Sequence, residues 1–267
     1  MLNFRFFLLI SLINLIILPA FSSFAEPKKS RDKIVPQPIQ ELFQSNLVYP
    51  QEKDEIQLTL FPSFRKNKST QKTRTLFEVE YGITDALQVI FEWEGLLYKN
   101  PKSDPAIAGV GNIEVGAQYS WMGMGDGNTH FSFGNLIEFP VGPVESGLTE
   151  GFIEVQPFIV LARDFPELNQ SQIFLEFGFD WVKQARNVPE SIAPEIDNIS
   201  WNIGAFFPIK LWRATIEING NNNKLDGGSI NDIYITPGTI YKLSKEWEMG
   251  IATPIGVTKT SDDYRVV

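Results

Sequence analysis

The chain has 267 residues, with 32 acidic side chains against 23 basic ones and a formal net charge of −9. That balance, with no basic stripe, argues against a nucleic-acid partner. There is no cysteine, which excludes a disulfide framework, a cysteine nucleophile and a cysteine-held metal.

The first 25 residues predict an export signal. MLNFR is a short basic start, Phe6 to Leu18 is an apolar run broken only by Ser11 and Asn14, and Ser23-Phe24-Ala25 offers a small-residue cleavage site before Glu26. The run is shorter than the ~20 apolar residues of a membrane-spanning helix. No cysteine near the cleavage site offers a point for lipid attachment. Residues 26–53, rich in Pro, Lys, Gln and Glu, read as a polar periplasmic segment with at most a short helical turn at Ile39 to Phe43.

From Asp54 onward the period is two. Strands are expected over 54–65, 72–82, 86–96, 110–121, 129–139, 151–163, 171–182, 198–208, 211–220, 230–243, 246–258 and a short 262–267. Most are longer than soluble strands, and tilted membrane strands need about 9–11 residues. Short Gly/Asp/Asn/Pro-bearing turns alternate with longer polar stretches at 66–71, 97–109, 140–150, 183–197 and 221–229. Only Thr258 to Ser261 breaks the order. The alternation predicts an all-β, up-and-down antiparallel transmembrane β-barrel of about twelve strands over 54–267, with both termini periplasmic. A Greek-key sandwich gives no reason for it.

The faces agree. Phe77, Val79 and Tyr81 oppose Glu78 and Glu80. Ile113, Val115, Ala117, Tyr119 and Trp121 oppose Asn112, Glu114, Gly116, Gln118 and Ser120. Ile173, Leu175, Phe177, Phe179 and Trp181 share one parity, as do Trp212, Ala214, Ile216 and Ile218. All six tryptophans fall in the apolar register near strand ends. Trp93, Trp181 and Trp201 fall at the outer rim, and Trp121, Trp212 and Trp247 at the inner rim, as two aromatic girdles. The opposite register carries Glu78, Glu80, Glu92, Glu94, Glu114, Glu138, Glu154, Glu176, Asp180, Glu217 and Glu248, with Arg213 and Lys242 near the periplasmic end. These are the candidate lumen-lining residues, with most of the acids in the outer half.

The segment EYGITDALQV (80–89) resembles the E-x-G-[IL]-T-D-x-[LF]-x-[LV] hairpin of Gram-negative outer-membrane transporters labelled "MetA-pathway of phenol degradation". GVGNIEVGAQY (109–119), FPVG (139–142), ITPGTIYKLSKEWEMGIATPIG (235–256) and SDDYRVV (261–267) follow in the family's order. Each motif is loose; their order over residues 45–267 carries the likeness. The resemblance implies an outer-membrane barrel that passes small, in part hydrophobic, compounds, and it supplies no catalytic residues. The sequence departs from the pattern in its last strand, which is short and has Tyr264 as its final aromatic.

Catalytic chemistry is not expected. His130, the single histidine, shares a strand face with Ser132, but side chains at i and i+2 lie about 7 Å apart, too far for a direct hydrogen bond. No His-rich metal spacing and no Gly-x-Ser-x-Gly elbow occurs, and Gly125-Asp126-Gly127-Asn128 lacks the further oxygens of a calcium loop. No cofactor, metal or catalytic residue is therefore assigned. The expected role is a barrel in the outer membrane passing small-molecule solutes through an acid-lined lumen. Its expected partners are outer-membrane lipid and, during biogenesis, the barrel-assembly machinery. A non-conducting structural or surface-binding barrel competes with this reading, and a lipid-modifying barrel enzyme is a third. A twelve-stranded barrel is also narrow enough for inward side chains or the N-terminal segment to block it.

Overall fold

The computed structural model describes residues 37–66, 69–102, 105–145, 147–149, 151–184, 198–225, 228–261 and 264–267. The signal reading of 1–25, residues 26–36 and the connection 185–197 lie outside the described residues.

The strands are β1 (Ile56–Lys66), β2 (Thr70–Thr84), β3 (Leu87–Pro101), β4 (Ile107–Gly109), β5 (Ile113–Met124), β6 (Thr129–Phe139) and β7 (Phe152–Phe165). They continue as β8 (Ser171–Gln184), β9 (Asn198–Ile209), β10 (Trp212–Leu225), β11 (Gly228–Lys242), β12 (Glu248–Ala252), β13 (Ile255–Gly256) and β14 (Tyr264–Val266). Each long strand pairs antiparallel with its neighbours in sequence, and β14 returns to pair with β1. With β4 lying beside β3, and β12 and β13 forming one interrupted strand, this is a nearly closed twelve-stranded up-and-down barrel.

Burial is inverted relative to a soluble fold. Leu58 is 75% exposed on the outer face, whereas Gln118, facing inward, is 1% exposed. An apolar outside and a hydrogen-bonded polar inside suit strands surrounded by lipid.

One rim is made of tight turns at 85–86, 125–128, 166–170, 210–211 and 243–247. The second turn needs glycine, because Gly125 (φ 62°) and Gly127 (φ 89°) occupy left-handed backbone. The other rim differs from expectation. The β10–β11 ladder runs on to Leu225↔Gly228, so most of the expected loop 221–229 is hairpin. β3 likewise extends to Pro101 and β4 pairs with it. Beyond the apolar belt both faces of a strand are polar, so the period-two signal fades while main-chain pairing continues.

Two irregularities shape the wall. A bulge opposite Thr75/Leu76, at Gly95, shifts the register of β3. Glu92 and Glu94 point inward before it, whereas Leu97 and Lys99 do so after it. The expected strand 246–258 is broken at Thr253-Pro254, since proline has no N–H to donate to the ladder. Closure is confined to the loop rim. β1 pairs with β14 over Phe64–Lys66, and Val267 exchanges two 3.0 Å bonds with Ala252. Among the described residues, Ile56–Ser63 ladder with β2 alone.

Candidate functional site

The lumen is the site. Its wall follows from strand register, which brings together residues far apart in sequence. Glu78 pairs with Glu92, Glu92 with Glu114, Glu114 with Glu138, and Glu138 with Glu154. Five glutamates thus form an unbroken row across five neighbouring strands. The row runs perpendicular to the strands and climbs toward the loop rim because barrel strands tilt. Like charges directly opposite one another are unfavourable, so this row is costly to the barrel itself. Asn112 Nδ2 donates to Glu138, Gln156 Nε2 donates to Glu154 at 3.2 Å, and Arg74 Nη1 lies 3.1 Å from Glu94.

Basic residues form a second row nearer the loop rim. Arg265 pairs with Arg65, Arg65 with Lys72, and Lys72 with Lys99, all in the inward register. Lys72 and Arg74 already fall in the inward parity of their expected strand. Arg65 likewise shares the parity of Gln57, Thr59 and Ser63 in its expected strand. Lys99 becomes legible only through the bulge at Gly95, and Arg265 only through closure. The acid row is therefore accompanied by cationic groups at the loop rim as well as by Arg213 and Lys242 at the turn rim.

Residues 37–53 run along the inner wall. Near the turn rim Arg213 Nε donates to the Pro38 carbonyl at 2.7 Å, and Gln40 N donates to Glu248 at 3.1 Å. Glu248 also lies 4.0 Å from Lys242. At mid-barrel the backbone of Phe43 and Gln44 donates to the two oxygens of Glu217, each at 3.1 Å, and Ser45 Oγ donates at 2.7 Å. Glu176 accepts from Asn46 N at 2.7 Å and Nδ2 at 3.2 Å. Gln118 Nε2 reaches the Leu47 carbonyl at 2.7 Å. The segment then returns toward the turn rim, where Gln51 Nε2 and Gln88 Nε2 donate to Glu80 at 2.8 and 2.7 Å. Inner-face glycines make room for it: a Cβ at Gly250 would stand 2.7 Å from the Phe43 ring. Asp180, by contrast, is engaged by Asn198 at 2.7 Å, on the wall itself.

His130 belongs to the anchorage. Its Nδ1 accepts from Gly123 N at 2.9 Å, which leaves the proton on Nε2 to donate to Asp164 Oδ2 at 2.9 Å. Asp164 Oδ1 accepts from Tyr49 OH and from Gln172 Nε2, both at 2.7 Å. Both ring nitrogens are thus committed, and Ser132 Oγ has neither as a partner. Burial and the adjacent Asp164 push the Tyr49 hydroxyl's pKa well up, which keeps it a donor. Within the threaded segment, burial first and then the carboxylates of Glu78 and Glu80 hold the Glu41 carboxyl well above the usual range.

The tryptophans pack against other aromatics. Trp93 lies 5.7 Å from Phe77, Trp121 4.6 Å from Tyr119, Trp181 5.8 Å from Phe179, and Trp212 4.6 Å from Tyr241. Trp201 covers Gly220, and Trp247 is 69% exposed in the last turn.

No protein-family model matches the chain, and no curated protein matches it. Among solved structures, it is similar to the COG4313 outer membrane channel from Pseudomonas putida F1. The sequences are 11% identical, the match covers 84% of this chain and 97% of that chain, and the TM-score is 0.67. At that identity the likeness is one of fold.

Proposed function

We propose that the protein is an outer-membrane channel for small solutes, with the turn rim in the periplasm and the loop rim outside. The reading rests chiefly on the continuous glutamate row on a buried polar wall. Such a wall suits the passage of cations and neutral molecules better than anions. The fold shared with an outer membrane channel supports the same reading, and the family resemblance adds small hydrophobic compounds as candidate cargo. Trp93, Trp181 and Trp201 would mark the outer interface, and Trp121, Trp212 and Trp247 the inner one.

Planar-bilayer recordings across a salt gradient test this. The expected result is a small conductance whose reversal potential favours cations. Anion preference would overturn the selectivity. A silent barrel that stays silent after removal of residues 37–50 would overturn passage altogether. A second reading, a barrel closed at rest, is favoured by the threading of residues 37–53 along the wall; it predicts silence in the intact chain and conductance after that deletion.

A further inference from the structure

Where the threaded segment meets the glutamate wall, Glu41 comes against Glu78 and Glu80. One carboxylate oxygen from each of the three lies within 4.8 Å of the other two. Two oxygens held by one calcium ion, at about 2.3–2.6 Å each, can stand no more than about 5 Å apart. The spacing therefore suits a single hard cation.

A second observation comes from a neutral side chain. Gln51 is 1% exposed, and its Nε2 donates to Glu80 Oε2 at 2.8 Å, so its carboxamide reaches the cluster. Its Oε1 nevertheless accepts no hydrogen bond. A buried amide oxygen without a donor is unfavourable, and a cation shared with the carboxylates would satisfy it. The donor set is all oxygen, three carboxylates and one amide, which is calcium or magnesium chemistry rather than zinc or copper chemistry.

The geometry points to a divalent-cation site formed by Glu41, Glu78, Glu80 and Gln51. Two ligands come from the barrel wall and two from the threaded segment, so a bound ion would fasten one to the other. The site stands whether or not the barrel conducts, because its ligation needs no solute to pass.

The test uses the full-length barrel in detergent and two readouts that require no transport. The first is equilibrium dialysis against calcium and against magnesium. One ion per chain is expected, with affinity falling at least tenfold in Glu41→Gln and in Glu78→Gln. The second uses the cysteine-free background: a Leu47→Cys variant reports by its maleimide labelling rate how firmly the segment is seated. Chelation should speed labelling at least tenfold, and the added Glu41→Gln change should remove that response. Heat-modifiable gel mobility checks assembly. Should Glu78→Gln fail to assemble, Glu41→Gln decides, since it lies outside the strands. No saturable binding up to millimolar cation would overturn the site, as would binding undiminished in Glu41→Gln. Labelling that follows pH and ignores chelator would also overturn it, because protons alone would then be relieving the charge.

Discussion

Glu217 is 0% exposed, and both of its oxygens are used by donors of the threaded segment. Truncation to alanine would leave two backbone N–H groups and a hydroxyl without acceptors. Glu217→Ala should weaken seating by about 2 kcal/mol, roughly a 30-fold faster labelling of Leu47→Cys. Glu217→Gln, which keeps one acceptor oxygen, should fall between. Glu41 sets the pH dependence. Its raised pKa means that seating takes up a proton, so seating is firmest below the ordinary carboxylate range. It weakens as pH rises above that range and levels off past the raised value. In chelator, labelling of Leu47→Cys should therefore accelerate with rising pH, and a flat profile would contradict this account of Glu41.

At the scale of elements, β11 and β12 build a socket from absence. Gly238 and Gly250 lie inward on these two strands, and the Phe43 ring fills the space where side chains would stand. Gly250→Val would drive a branched side chain into that ring. The barrel should assemble with unchanged heat-modifiable mobility, while the segment is expelled. Conductance and Leu47→Cys labelling should both rise, by about tenfold for a loss near 1.4 kcal/mol. A change in assembly without a change in labelling would place the strain in the wall instead. Elements were also where reading the sequence lost accuracy. Pro254 divides β12 from β13 but leaves their register on β11 unchanged, with Ile251 and Ile255 both facing outward. Gly95, by contrast, turns the end of β3 over and reverses the facing of the residues that follow it in that strand. Polar stretches such as Asn221-Asn222-Asn223 look like loop because alternation carries no information where both faces are wet.

Over the whole molecule, pairing is uneven around the barrel. β6, β7 and β8 are laddered on both sides along most of their length. Among the described residues, the lower part of β1 is laddered on one side, with β2, and β12 up to Ile251 on one side, with β11, before Ala252 meets Val267. Amides of Leu58 to Phe61 and of Met249 to Ile251 should exchange with solvent in detergent far faster than those of β7; uniform protection around the barrel would refute that. The seam joins the two strands farthest apart in the sequence, so its closure is the least local contact in the fold.

The sequence by itself determined the all-β class, the twelve strands in up-and-down order and the direction in which most side chains point. Those properties depend on alternation and turn chemistry within a few neighbouring residues. It also placed Glu78, Glu92, Glu114, Glu138 and Glu154 on the inward face one strand at a time. Only the tertiary structure decided that the five stand in one row, because strand register is a relation between segments and leaves no mark within either. The same holds for the threaded segment: nothing in Phe43-Gln44-Ser45-Asn46 announces that its backbone donors will meet Glu217 and Glu176. Its hydrogen-bonding needs are those of any irregular chain, and the barrel interior is what supplies the acceptors.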